Sequence, residues 1–211
     1  MYTPSAFREI GTERIHEVLA KHPFATLVLP RGIDESPFVS HIPLLHDTAS
    51  NELRGHVAKV NAIGRLEGNT SALAIFHGPN AYVSPSWYET KRVSGKVVPT
   101  WNYVVVHVHG KLTIVHDPNW ILDNVSQLSD AHEKGMATPW AVTDAPDEYI
   151  TQLRRSIVGI KLTISSMEAQ FKLSQNKHSG DFFGVLNGMR STPGGDGIAD
   201  WMVRVQDEIR K

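Results

Sequence analysis

The chain has 211 residues, a formal net charge of −1 and 41% hydrophobic residues, which suits one large domain or a domain with a small appendage. The near-neutral charge argues against non-specific nucleic-acid binding, because that binding depends on Lys and Arg neutralising phosphates. The absence of cysteine excludes disulfides, thiolate metal sites and a Cys nucleophile.

The N-terminal segment and the apolar runs predict a location. Residues 1–19 lack the basic start and apolar run of a signal peptide, and no apolar run approaches about 18 residues, the length that spans a bilayer. We therefore expect a cytoplasmic protein with no membrane partner.

The first half of the sequence predicts one helix and a series of strands. Thr12 can cap a helix to about Lys21, in which apolar residues recur at helical spacing. A buried strand at 23–29, ended by Pro30 and Gly32, should form a hairpin with the next strand. Further strands are predicted at 36–47 with a break at Pro43, at 51–57, and at 71–79 and 81–88 on either side of a Gly-Pro turn, with a helical turn beginning around Ala58.

The second half predicts one long strand and several helices. Residues 102–115 alternate clearly as a strand, and Asp117-Pro118 opens a helix. A helix around 149–155, a strand at 156–175 and helices at 181–189 and 197–209 follow. Strands followed by helices without regular βαβ alternation predict an α+β fold, a mostly antiparallel small barrel with peripheral helices. Because 191–197 is rich in Gly and Pro, we expect residues 187–211 to be a linker and helix that pack on the barrel or on a partner subunit.

The segment "GHVAKVN" is a candidate anion site. His56 and Val57 lie at a strand end, and Lys59 and Asn61 follow it. Backbone N–H groups at a helix start, joined by an ammonium group and an amide, suit a phosphate. The alternative is a solvated helix start.

The segment "VSHIPLL" is a candidate wall for a flat ring. Pro43 cannot donate to a sheet ladder, so backbone groups near it are left for a ligand. The alternative is an ordinary edge strand, with a structural role for its histidine. The residues concerned are Ser40, His41, Ile42, Pro43 and Leu44.

Aromatic residues with polar tips recur between residues 82 and 103. Such side chains are common at pockets and subunit interfaces, although a core cluster is the alternative. Trp87, Thr100, Trp101 and Asn102 are the candidate ligand contacts. Gln175 and Asn176, in "KLSQN", form a second polar cluster, for which an ordinary loop is the alternative.

Metal and common catalytic motifs are not predicted. The pairs His107/His109 and His46/His56 lack a third ligand nearby in sequence, so we expect no metal. The chain shows no Gly-rich phosphate loop, G-x-S-x-G nucleophile or paired catalytic carboxylates.

Taken in order, "MYTPSAF", "HPFATLV", "VSHIPLL", "GHVAKVN", "SPSWY", "VPTWNY", "IVGIKLTI" and "KLSQN" resemble the PaiB-like family of FMN-binding negative transcriptional regulators. The resemblance covers residues 1–186, and "SPSWY", "VPTWNY" and "KLSQN" are its specific motifs. Lys59 stands where arginine is also expected, and Lys177 ends the "KLSQN" motif where arginine is usual; both keep the charge and lose the bidentate geometry.

The resemblance implies a split β-barrel, similar to pyridoxamine phosphate oxidases, that binds FMN between the two subunits of a homodimer. Lys59, with His56 and Asn61, becomes the candidate phosphate clamp, and residues 40–44 the strand beside the isoalloxazine ring. It also implies a regulatory role, with DNA or another regulatory protein as an open second partner. The alternatives are a flavin-dependent oxidoreductase, a haem-binding or haem-degrading enzyme, and a flavin-storing dimer, since fold does not fix function.

Overall fold

The computed structural model describes residues 1–30 and 36–209. The predicted turn residue Gly32 lies outside this range. The elements in chain order are β1 (Arg8–Glu9), α1 (Thr12–Lys21), β2 (Phe24–Leu29), β3 (Phe38–Pro43), β4 (Leu45–Asp47), β5 (Glu52–Ala58), β6 (Thr70–Val83), α2 (Thr90–Ser94), β7 (Thr100–Val115), α3 (Pro118–Glu133), α4 (Asp147–Arg154), β8 (Ile157–Lys172), α5 (Ser179–Arg190) and α6 (Asp196–Ile209).

The strands form one sheet in the order β3-β2-β6-β7-β8-β5-β4, and β1 pairs with β8. The defined registers of β1/β8, β2/β3, β2/β6, β4/β5 and β5/β8 are all antiparallel. The predicted hairpin of β2 and β3 is therefore confirmed, with Phe24 opposite Pro43. Strand β3 lies at one end of this order.

The chain forms two compact units. Unit 1 comprises residues 1–18, 77–106 and 168–211, and unit 2 comprises residues 19–76 and 107–167. In unit 2, strand β2 alternates buried and less buried side chains and places Leu27 in the core. In strand β5 the residues from Leu53 to Gly55 are buried in succession, and Val57 is buried as well. Helix α3 packs on β5, and Ile121 and Leu128 are buried.

Unit 1 has a core built from β7, β8, α5 and α6. Val104 and Val106 are buried, as the alternating valines predict. The Trp201 ring of α6 meets Phe171 of β8 edge-on, with centroids 4.9 Å apart. The last helix therefore packs on a strand of its own chain. The predicted boundary at residue 186 falls inside α5.

Several predicted elements differ from the structure, among them the strand predicted at 81–88, which ends at Val83 and is followed by a short 3-10 helix at Pro85–Trp87. Strand β6 continues through the predicted Gly-Pro turn, where a Cβ atom on Gly78 would lie 2.9 Å from the Cβ of Val104. The glycine thus permits a close approach of β7 instead of making a turn. The helical turn begins at Ala62 and not at Ala58, because Ala58 still pairs with Ile157. In the described ranges, no helix has the length and apolarity that crossing a membrane requires.

Candidate functional site

A pocket of about 340 Å³ lies in unit 2, within the size range of small-molecule sites. It opens where β5 ends, where β8 begins and where the first turn of α3 meets the last turn of α4. Its lining residues are Lys59, His116, Pro118, Ile121, Thr151, Arg154, Arg155 and Ile157.

Strand pairing explains why these residues meet. Ala58 lies opposite Ile157 in the antiparallel pair of β5 and β8, and the Lys59 N–H donates to the Ser156 carbonyl at 2.9 Å. The residue that leaves β5 therefore sits beside the residues that enter β8. Because α4 ends just before β8, it delivers Arg154 and Arg155 to the same place.

The described lining of the pocket carries basic side chains and no acidic one. Lys59, Arg154, Arg155 and His116 are basic, and none of the described lining residues is acidic. Arg154 is held by hydrogen bonds from its Nη atoms to the Pro118 carbonyl at 3.2 Å and to the Thr151 hydroxyl at 3.4 Å. Its Nε is buried without a hydrogen-bond partner among the described residues. A buried donor without an acceptor is costly, and this atom exposes no surface through which a ligand in the pocket could reach it.

The "GHVAKVN" residues take different places. Lys59 lines the pocket, whereas Val57 is in the core. The Asn61 side chain accepts from the Ile63 N–H at 3.0 Å and so caps the turn that begins at Ala62. His56 has a buried Nδ1 without a described partner. Only Lys59 of the predicted clamp therefore lines the pocket.

Burial lowers the pKa of His56 below its ordinary value of 6.5. As the pH is lowered through about 6.5, the unfolded chain therefore gains this proton before the folded chain does. The free energy of unfolding consequently decreases as the pH decreases. We expect the urea midpoint of the wild type to fall between pH 7.5 and pH 5.5 by more than that of His56→Gln. Equal falls in both proteins would contradict this account of His56.

The "VSHIPLL" strand exposes only part of its predicted wall. Ile42 and Leu44 are buried in the core of unit 2, and the Leu44 N–H donates to the Pro23 carbonyl. His41 is exposed, and its Nδ1 lies 3.2 Å from the Thr26 hydroxyl. Ser40 and Pro43 are half-buried. The side chains available to a ligand are thus Ser40, His41 and Pro43.

The aromatic motifs lie in unit 1. The Trp101 ring is 52% exposed and meets Tyr82 edge-on at 6.2 Å. Thr100 is half-buried and accepts a hydrogen bond from Lys172. Asn102 is fully buried, and its amide is bonded to Ser174. This corrects the predicted ligand contact of Asn102, because a buried, internally bonded amide has no surface to offer.

The "SPSWY" segment is fastened to α5. The Asp181 carboxylate accepts from the N–H and the hydroxyl of Thr90 at 2.9 Å each. Burial alone would raise the pKa of Asp181, but the hydrogen bonds from Thr90 and the charges of Lys177 and His178 together lower it. Trp87, predicted to touch a ligand, lies against Gly184 and Gly188, where a Cβ atom would overlap it. Its position is therefore set by α5.

The "KLSQN" residues form a turn after β8. The Gln175 side chain accepts from the Leu173 N–H at 2.7 Å and donates to the Phe171 carbonyl at 2.6 Å. Gln175 therefore holds its own turn, and Asn176 is exposed.

Sequence reasoning missed four basic residues that the structure makes prominent, namely His116, Arg154, Arg155 and Lys172. The adjacent arginines before a strand were the available signal. Their proximity to Lys59 depends on the β5/β8 pairing, which the local sequence does not reveal.

The fold defines the class of protein. An FAD- and haem-binding protein from Mycobacterium smegmatis superimposes with a TM-score of 0.60 at 14% identity, over 83% of this chain and 78% of that one. A conserved hypothetical protein from Mycobacterium tuberculosis does so with a TM-score of 0.59 at 10% identity, over 84% and 94%. The fold is a split barrel, an antiparallel half-barrel sheet with several helices, which confirms the predicted α+β class.

Residues 1–166 match the family described as "Putative FMN-binding domain", and the chain belongs to this family. An uncharacterised protein of Emericella nidulans is 31% identical over 100% of this chain and 99% of its own length. "Protease synthase and sporulation protein PAI 2" of Bacillus subtilis, which is PaiB, is 27% identical over 100% of this chain and 99% of its own length. The resemblance to PaiB-like proteins is thereby confirmed.

Proposed function

We propose that this protein binds FMN and that Lys59, His116, Arg154 and Arg155 hold the FMN phosphate. The observation that carries the proposal is the pocket at the end of β5, which gathers these four basic side chains without an acidic one among its described lining residues. Membership of the FMN-binding family supports the choice of flavin.

The donor set fits a phosphate monoester. Such a group carries between one and a half and two negative charges near neutral pH, and guanidinium groups match its oxygens with paired donors. When bound, FMN supplies hydride and single-electron transfer, and the protein supplies binding, orientation and charge.

We also propose that residues 40–43 of strand β3 lie beside the flavin ring. Among the described residues this strand pairs on one edge only, so backbone groups on its other edge are available to a ligand. Ser40 and His41 add polar side chains beside that edge.

Titration of the flavin-free protein with FMN and with riboflavin tests the phosphate assignment. Riboflavin lacks the phosphate, so FMN should bind at least about tenfold more tightly, the value of one charged hydrogen bond. Equal affinities would contradict the proposed role of the pocket, and no binding of either ligand would contradict flavin binding itself.

We further propose that the protein is a homodimer and that Trp101 serves both the subunit interface and the flavin site. The half-exposed Trp101 ring and its edge-on neighbour Tyr82, 47% exposed, support an interface there. Large exposed aromatic side chains are typical anchors of such contacts.

Trp101→Ala should therefore weaken both the dimer and FMN binding. Sedimentation equilibrium and an FMN titration measure the two effects, each expected to exceed about 1 kcal/mol. Trp140→Ala is the matched control, because Trp140 is also partly exposed, at 41%, and lies on the loop between α3 and α4. A Trp101 variant that stays dimeric and binds FMN like the control would assign Trp101 a role confined to its own subunit.

The relationship to the Bacillus protein supports a regulatory role, in which flavin occupancy or redox state changes the dimer and a second partner responds. Equilibrium dimerisation measured with and without FMN tests this role. A dimerisation constant that does not change on saturation with FMN would contradict it.

A further inference from the structure

Two motifs that are far apart in sequence meet in unit 1. The start of β7 carries the "TWN" residues Thr100, Trp101 and Asn102, and the end of β8 leads into the "KLSQ" turn. The Lys172 Nζ donates to the Thr100 hydroxyl and to the Trp101 carbonyl oxygen, at 2.5 Å in each case. One ammonium group thus holds two successive residues of β7.

Ser174 holds the third residue. It is 3% exposed and has a φ of 63°, in the left-handed region that non-glycine residues seldom adopt. Its hydroxyl accepts from the Asn102 amide nitrogen at 3.0 Å and donates to the Asn102 amide oxygen at 3.1 Å. A strained backbone persists only where its surroundings determine it, and here the bonds to buried Asn102 do so.

The environment of Lys172 indicates that its ammonium group holds the start of β7 by hydrogen bonds and does not form an ion pair. None of the described ion pairs involves Lys172, and the two oxygens that accept from its ammonium group among the described residues are neutral. Burial, followed by the charge of Lys177, lowers the pKa of Lys172. An ammonium group kept in a half-buried place without a carboxylate must be compensated by these fixed acceptors.

The exposed indole of Trp101 lies on the segment of β7 that Lys172 and Ser174 hold by hydrogen bonds. Its backbone is fixed by Lys172, and the next residue is fixed by Ser174, yet 52% of Trp101 remains exposed. A large aromatic side chain on a fixed backbone loses little freedom on binding, so it is suited to a partner or a planar ligand.

We propose that Lys172 is a positioning residue that, together with Ser174, orients Trp101 for binding. The role of Trp101 toward flavin rests on the function proposed above. The positioning itself is a property of the chain and can be measured without any ligand.

The direct test uses protein labelled with 5-fluorotryptophan, in which each of the five tryptophans gives a fluorine NMR resonance. The resonance missing from Trp101→Phe identifies Trp101. Lys172→Met should shift or broaden this resonance and leave the others in place. The matched control is Lys161→Met on the same strand, whose lysine pairs with Glu52 at 3.3 Å and should leave the Trp101 resonance unchanged. An unmoved Trp101 resonance in Lys172→Met, or equal shifts of all five, would overturn the proposal.

A double-mutant cycle tests the consequence for the ligand. Lys172→Met should raise the Kd for FMN in the wild-type background, by no more than Trp101→Ala does. It should have no further effect in a Trp101→Ala background, because Lys172 acts through Trp101. Additive effects in the cycle would overturn the positioning role. If the wild type binds no FMN, the proposed function fails, and the fluorine spectra still decide the role of Lys172.

Discussion

Replacing both Lys59 and Arg155 by alanine is expected to raise the Kd for FMN by at least about a hundredfold. A hydrogen bond from a charged group is worth about 1.5–3 kcal/mol, or roughly tenfold to a hundredfold for the single variant Lys59→Ala. Both side chains line the pocket at the end of β5, and no described acidic lining residue offsets their charge. The phosphate would therefore lose two of its proposed cationic partners.

Isothermal titration with FMN and with riboflavin checks this expectation. The affinity for riboflavin should not change in the double variant, because riboflavin has no phosphate to lose contacts. Lys134→Ala, which removes an exposed cation at the end of α3, controls for a general effect of charge. An unchanged Kd for FMN, or an equal loss for riboflavin and FMN, would remove the two residues from the phosphate site.

Gly184→Ala is expected to destabilise the protein by about 1–3 kcal/mol, the usual cost of overpacking. A Cβ atom at this position of α5 would overlap the carbonyl oxygen of Trp87. Because that neighbour is backbone, it cannot swing away as a side chain could. The gain of about 1 kcal/mol that alanine brings to a helix interior does not offset the overlap.

Thermal unfolding followed by circular dichroism measures this effect. For a chain of this size, each 1 kcal/mol corresponds to roughly 2–4 °C in Tm. Gly135→Ala is the matched control, since a Cβ atom there meets nothing within 4 Å. A Gly184 variant as stable as the control would show that Trp87 does not rest on α5 as the structure has it.

Much of the fold follows from local sequence. The alternation of Val104 and Val106 predicts the long strand β7, and Asp117-Pro118 predicts the start of α3, where the Asp117 carboxylate caps the helix. These signals are local, because the period of a strand or the cap of a helix depends on neighbouring residues only.

The site required tertiary information. Lys59 was predicted as a phosphate ligand, but its proximity to Arg154 and Arg155 follows from the pairing of Ala58 with Ile157. Asn102 was predicted to face a ligand because of its polar neighbours. The structure buries it against Ser174, 72 residues away, and no local pattern encodes that contact.

The crystal structure of the complex with FMN tests the central claim most directly. The account predicts that the phosphate lies in the pocket at the end of β5, with its oxygens at roughly 3 Å, charge-assisted hydrogen-bonding distance, from Lys59 and Arg155. A phosphate bound elsewhere, with this pocket free of FMN, would contradict the account.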